Sequence, residues 1–169
     1  ASLDAYLPAL QFVVDRHAVL RTAVFWKGLA VPVQVVQRQS ALDVRWLEFG
    51  AHEDVPALMS ERCQSDLQRM DLSQAPLLKL WIAQDAATGD FYIHHMLHHM
   101  IADQEALGVI VGEMGAFFSG QVELLAPPSA YRDFVAHALH QASHHDAEAF
   151  FRVALGDVTE STAPFGLLD

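Results

Sequence analysis

The sequence predicts an α+β fold in which strands and helices form layers within one domain. Three observations support this prediction. The chain has 169 residues, the usual length of a single domain or of one lobe of a larger one. Apolar residues make up 52% of it, which is ample for a core. Its strand-like and helix-like segments are separated without strict alternation, which is typical of α+β layers.

The first part of the chain predicts one helix followed by short strands. Apolar residues recur at helical spacing over residues 2–16. Residues 19–26 and 31–37 are β-branched and apolar, and the segment 27–30 between them predicts a hairpin connection. Residues 44–49 form a further strand candidate.

The middle of the chain predicts an amphipathic helix over residues 52–69, a turn over 71–76, and two strands over 77–83 and 91–97. Alternate side chains of a strand point to opposite faces of its sheet. The last strand therefore has one face made of Phe91, Ile93, His95 and Leu97, and another made of Tyr92, His94, Met96 and His98.

Three helices are predicted after these strands. The first begins after Asp103 and ends at Gly120. Its apolar stripe consists of Leu107, Ile110, Val111, Met114, Phe117 and Phe118. Two shorter helices are expected over residues 131–141 and 145–155, and their aromatic residues are expected in the core: Tyr131, Phe134, Phe150 and Phe151.

Composition narrows the classes of function. The formal net charge is −11, which argues against binding to nucleic acid or to an anionic membrane surface. The single cysteine, Cys63, excludes an internal disulfide, and its polar surroundings predict an inert thiol. The chain starts without a basic segment typical of a signal peptide, and it has no apolar run long enough to span a bilayer. We therefore expect a cytoplasmic protein.

The run His98-His99-Met100-Ile101-Ala102-Asp103 is the most informative motif in the chain. Adjacent histidines at a strand-to-helix junction can place one imidazole in a cavity and turn the other back to brace the turn. Histidine is the usual choice for moving a proton at neutral pH. Asp103 stands where a helix needs an N-cap. A packed or surface pair is the competing interpretation, since the chain has ten histidines.

Other chemistries have weaker support. His94 and His98 are four residues apart, as are His95 and His99. On a strand, however, His94 and His98 would be roughly 13 Å apart, and no Cys or Glu completes a metal-binding set. We therefore expect no metal site. The sequence has no Gly-x-Ser-x-Gly motif for a nucleophilic serine and no glycine-rich phosphate loop.

Four motifs in order resemble the condensation domains of non-ribosomal peptide synthetases and their chloramphenicol-acetyltransferase-like relatives. The run HHMIADQ at 98–104 resembles the HHxxxDG signature. Residues 16–22 resemble the RHxxLRT segment, residues 71–77 the DLxxxPL turn, and residues 131–134 the YxDY phrase. The resemblance covers nearly the whole chain and implies a chloramphenicol-acetyltransferase-like lobe with a mixed β-sheet flanked by helices.

The same resemblance implies that residues 1–169 correspond to the N-terminal, donor-side lobe of such a domain. The first elements of that lobe and the whole C-terminal lobe are expected to be missing from this sequence. Because the tunnel of these domains lies between two lobes, we expect this lobe alone to be inactive.

The implied activity is amide-bond formation between two thioesters on the phosphopantetheine arms of donor and acceptor carrier proteins, with no bound cofactor. By the motif match, His99 faces the tunnel and orients or deprotonates the acceptor amine. His98 braces the turn. Asp103 is structural, buried and paired with Arg21. The other partner would be the C-terminal lobe.

Gln104 departs from the signature, because the family has glycine at that position beside the acceptor channel. A side chain there is expected to narrow substrate choice or to mark a divergent subclass. A silent platform that recruits carrier or partner proteins therefore stays open. An epimerization domain also stays open, whereas His98 argues against a cyclization domain, which has aspartate there.

Overall fold

The structure is a computed structural model that describes residues 2–63 and 69–159. The chain divides into two compact units, Ala1–Ser129 and Ala130–Asp169. Among the described residues, the first unit contains a hairpin, a three-stranded sheet and three α-helices, and the second contains two helices. This is the predicted α+β architecture.

Helix α1 (Leu3–Arg16) opens the first unit, and its buried residues recur at helical spacing: Ala9, Leu10, Val13 and Val14. After a short 3-10 turn, strands β1 (Thr22–Phe25) and β2 (Val33–Val36) pair as an antiparallel hairpin with Thr22 opposite Val36. The predicted helix and hairpin are confirmed, although both strands are shorter than expected.

The central sheet has the order β3-β4-β5 and is mixed. Strand β3 (Asp43–Leu47) runs parallel to β4 (Leu78–Gln84), and β4 runs antiparallel to β5 (Phe91–Leu97). Helix α2 (Val55–Arg62) lies between β3 and β4 in the chain. The predicted helix 52–69 ends at Arg62 within the described residues, and residues 64–68 lie outside them.

Each face of the sheet belongs to its own apolar cluster, as the alternation in β5 predicted. On one face, the buried side chains of β4 pack with α1 and with the helix that follows residue 103, and Ile93 and Leu97 of β5 join them. On the other face, Trp81 and Ala83 pack with α2, and Tyr92 and Met96 of β5 join that cluster.

Helix α3 (Gln104–Phe118) follows the histidine motif, and Gly120 after it adopts a positive φ of 68°, which glycine accommodates without steric cost. Its buried residues are Ile110, Glu113 and Met114. The predicted apolar stripe is therefore partly wrong, because Leu107, Val111 and Phe118 are exposed.

The second unit contains α4 (Tyr131–His144) and α5 (Ala147–Leu155). Asp146 caps α5 by accepting a hydrogen bond from the N–H of Ala149 at 2.9 Å. The expectation that its phenylalanines are buried is wrong, because Phe134, Phe150 and Phe151 are exposed. No helix among the described residues is long and apolar enough to cross a membrane.

Candidate active site

The histidine motif forms a tight turn between the end of β5 and the start of α3. The N–H of His98 donates to the carbonyl of Leu77, which extends the β4–β5 pairing by one bond. The N–H of Ile101 then donates to the carbonyl of His98 at 3.0 Å, and this bond closes the turn. Because Ile101 and Ala102 are buried, the turn is held against the core. The two histidines therefore leave the sheet from a fixed backbone.

His98 forms a side-chain hydrogen bond within this turn. Its Nδ1 atom accepts a hydrogen bond from the backbone N–H of Met100 at 3.1 Å. The bond uses a lone pair of the imidazole to satisfy a turn amide, and it makes Nδ1 the unprotonated nitrogen when the ring is neutral. The side chain of His98 is therefore committed to the local structure.

His99 lies on the other side of the turn and lines a cavity of about 560 Å³. Its side chain is exposed, and it forms no hydrogen bond or ion pair with any residue that the structure describes. Both ring nitrogens are therefore available to a molecule in the cavity. The predicted action of His99 on the acceptor amine stays a prediction.

The cavity lies between α1, β5 and α3, and most of its wall is apolar. Its apolar lining residues are Leu10, Leu78, Leu97, Ala102, Leu107, Ile110, Val111 and Met114. Its polar lining residues are Tyr6, His95, His99, Asp103 and Gln104. An apolar cavity with a few convergent polar groups is the usual form of a small-molecule site.

His95 is a second histidine at this cavity, and sequence analysis considered it only as a possible metal ligand. Its Nε2 atom lies 2.6 Å from the hydroxyl of Tyr6. This hydrogen bond joins β5 to α1, and its two residues are 89 positions apart in the sequence. The two rings also meet edge to face, with centroids 5.9 Å apart. The alternation of β5 placed His95 on this face, but no local pattern identified Tyr6 as its partner.

The surroundings of this pair keep both groups neutral. Desolvation by burial, and then the nearby His94, lower the pKa of His95 below its ordinary value of 6.5. Burial raises the pKa of the Tyr6 phenol above its ordinary value of 10.0. At neutral pH the pair is therefore a neutral imidazole hydrogen-bonded to a protonated phenol.

Asp103 differs from the expectation. Its side chain is exposed and accepts a hydrogen bond from the N–H of Ala106 at 2.9 Å, as the N-cap of α3. The predicted buried ion pair between Asp103 and Arg21 is wrong. The carboxylate is exposed and is stabilised by the helix N-terminus, so it needs no buried cation.

Arg21 instead joins the end of α1 to the end of the hairpin. Its guanidinium donates to the carbonyls of Val14 at 3.2 Å and Arg38 at 3.1 Å, and also to the carbonyl of Gln37. Three carbonyl oxygens from two segments converge on one planar cation, whose several donors suit this geometry. The role of Arg21 remains structural, but its partners are backbone groups.

Gln104 lines the cavity as the first residue of α3. Helical backbone at this position accepts any side chain, so the replacement of glycine imposes no strain here. The consequence of Gln104 is therefore an added polar side chain at the cavity.

The described residues contain no group of three or more His, Cys, Asp or Glu side chains positioned to hold a metal ion. His94 and His98 line a different cavity from His99, together with Cys63. Burial raises the pKa of the Cys63 thiol, which is expected to be unreactive at neutral pH.

A family model described as Condensation domain matches residues 4–161, nearly the whole chain. The chain belongs to the condensation-domain family. It is 41% identical over 168 residues to malpibaldin synthetase from Mortierella alpina and 34% identical over 168 residues to malpinin synthetase from the same organism. These matches cover 99% and 98% of this chain, but only 3% and 2% of the two synthetases.

Solved structures show that the fold is that of condensation-type domains. The epimerization domain from the third module of tyrocidine synthetase B matches 96% of this chain with a TM-score of 0.74 and 18% identity. The crystal structure of holo T3CT matches 95% of the chain with a TM-score of 0.72 and 16% identity. The chain spans 39% and 38% of those two structures. The predicted family and fold class are confirmed.

Proposed function

We propose that this chain is part of a domain that forms an amide bond between two carrier-bound thioesters. The observation that supports this best is the separation of the two motif histidines. His98 is tied to the backbone of the turn, whereas His99 has both nitrogens free and lines the cavity. A histidine held in this way can act on a bound molecule without losing a structural bond.

In the proposed reaction, the acceptor amine attacks the thioester carbonyl of the donor. The new C–N bond forms as the C–S bond breaks, and the thiol of the donor arm leaves. His99 orients the amine, accepts its proton and returns a proton to the departing thiolate, which balances the step. Asp103, as the N-cap of α3, and His98, as the brace of the turn, position His99 indirectly.

Two phosphopantetheine arms from donor and acceptor carrier proteins would present these substrates, and no bound cofactor is required. Residues 1–169 would form the N-terminal lobe, with the first elements and the C-terminal lobe supplied by the rest of the domain. The share of the solved condensation-type structures that this chain spans supports the proposal. The lobe alone would be inactive, because a tunnel between two lobes needs both.

Two other activities of the same fold are distinguished by their products. An epimerization domain would invert the stereochemistry of a peptidyl thioester without forming a bond. A platform that only recruits carriers would change neither substrate, and Gln104 is the residue that keeps this possibility open.

The test is an assay of the complete domain that contains this chain, with loaded donor and acceptor carrier proteins and mass spectrometry of the carrier-bound products. We expect an amide on the acceptor arm, formed by the unmodified domain and at least a hundredfold more slowly by His99→Ala. His94→Asn is the matched control, because His94 lies on the other face of β5 and should leave the rate unchanged. Inversion without an amide, or no change in either substrate, would contradict the proposal.

A further inference from the structure

The hydrogen bond between Tyr6 and His95 is a second polar feature of the cavity that holds His99. The two residues come from α1 and β5, and both line the cavity. No lysine or arginine lines it within the described residues, and its one acidic side chain, Asp103, is bonded to the start of α3. The remaining wall is mainly apolar, so the Tyr6–His95 pair is the polar part of that wall on the side of α1.

The pair has one hydrogen-bond donor to spare. A neutral imidazole has one N–H and a phenol has one O–H, so the pair contains two polar hydrogens. The bond between Nε2 of His95 and the hydroxyl of Tyr6 uses one of them, whichever residue donates. The other hydrogen has no acceptor among the described residues. A donor at the cavity wall that has no partner among the described residues can bond to a ligand that brings an acceptor.

The position of His99 determines which part of a substrate reaches this wall. In the proposed function, His99 contacts the amine of the acceptor amino acid. The amine and the side chain of an amino acid are bonded to the same α-carbon, so the side chain begins within two bonds of the amine. A side chain that accompanies the amine to His99 therefore begins beside this cavity.

We infer that this cavity holds the side chain of the acceptor amino acid, and that the Tyr6–His95 pair sets its specificity. The preferred side chain is uncharged and mainly apolar and has one oxygen that accepts a hydrogen bond. The apolar lining provides affinity, and the spare donor of the pair contacts the oxygen. Carboxylate side chains are disfavoured, because no lysine or arginine lines the described wall. The inference rests on the proposed function and adds a substrate class to it.

The experiment compares two isosteric acceptors in the complete domain. Thioesters of norvaline and O-methylserine differ by one methylene replaced with an ether oxygen, which accepts a hydrogen bond but donates none. We expect the unmodified domain to use O-methylserine with the higher kcat/KM. In the double variant Tyr6→Phe/His95→Leu, we expect the kcat/KM for O-methylserine divided by that for norvaline to fall by about three- to tenfold. This is the range that one neutral hydrogen bond provides. The double change is needed because either single change leaves one donor.

Tyr92→Phe is the control, because Tyr92 packs on the opposite face of β5 and should leave the ratio unchanged. A preference of the unmodified domain for norvaline would overturn the inference, even if the double variant fails to fold. An unchanged ratio in the double variant, or an equal fall in Tyr92→Phe, would also overturn it. If amide formation persists in these cases, the proposed function stands. If neither acceptor gives an amide, both fail.

Discussion

Arg16 and Glu113 form a largely buried ion pair that joins α1 to α3. Nε of Arg16 donates to Oε2 of Glu113 at 3.0 Å, and only 17% and 11% of the two side chains are exposed. Nε2 of His17 lies 2.9 Å from the same oxygen. The first two residues of the RHxxLRT-like segment therefore hold the helix that follows the histidine motif. The pair explains why a polar residue lies among the buried side chains of α3.

Replacement of Glu113 by alanine should lower the free energy of unfolding by about 3 kcal/mol. The change leaves Arg16 without its carboxylate in a largely buried position, and breaking such a pair is costly. Urea unfolding of the domain measures the loss. Glu123→Ala is the control, because Glu123 is exposed and its replacement should have little effect. Equal losses in the two variants would show that the ion pair does not stabilise the fold.

Arg21→Ala should destabilise the domain more than Asp103→Ala. Arg21 donates charged hydrogen bonds to three carbonyls, so we expect a loss of about 2–3 kcal/mol. Asp103 is a helix N-cap, so its loss should cost about 1 kcal/mol. In a double-mutant cycle the two effects should add to within about 0.5 kcal/mol, as expected for residues that do not touch. A larger coupling energy would show that Arg21 and Asp103 do form an ion pair.

The lowered pKa of His95 predicts a pH dependence of stability. The native pKa lies below 6.5, so the unfolded chain takes up a proton first as the pH falls through that value. The stabilisation that comes from the lowered pKa of His95 is fully present above about pH 6.5, and it is lost as the pH falls toward the native pKa. The unfolding free energy of the unmodified protein should thus decline relative to His95→Gln between about pH 7.5 and 5.5. A constant difference between the two proteins would contradict the lowered pKa.

A larger side chain at Val111 should narrow the cavity. Val111 lines it, so Val111→Trp should slow amide formation at least tenfold with a leucine acceptor and much less with an alanine acceptor. Val109→Trp is the matched control on the same helix, because Val109 is also exposed but does not line the cavity. Steady-state rates with both acceptors measure the difference. The same slowing by both variants would show that the effect is not specific to the cavity.

Local patterns in the sequence predicted the parts of the site that depend on local geometry. The alternation of residues 91–97 assigned His95 and His94 to opposite faces of β5, because the strand period is two. Asp103 was recognised as an N-cap because the first turn of a helix has unpaired N–H groups. The roles of His98 and His99 in the turn followed from the strand-to-helix junction and from the family resemblance.

Local sequence patterns could not predict contacts between polar side chains that are far apart in the sequence. Tyr6 reaches His95 across 89 residues, and nothing near either residue indicates the other. The partners of Arg21 were missed because a long guanidinium side chain can bond to backbone carbonyls, which no sequence motif marks. The predicted apolar stripe of α3 included too many residues. Val111 lines the cavity, and the charged residue Glu113 is among the buried residues of the helix.

The most direct test of this account compares His99→Ala with His98→Ala in both rate and stability. His99 has its ring free in the cavity, so His99→Ala should reduce the rate of amide formation at least a hundredfold and leave the unfolding free energy within about 0.5 kcal/mol, as for most surface substitutions. His98 accepts the Met100 N–H, so His98→Ala should lower the unfolding free energy by about 1 kcal/mol. Full activity of His99→Ala at unchanged stability would contradict the account.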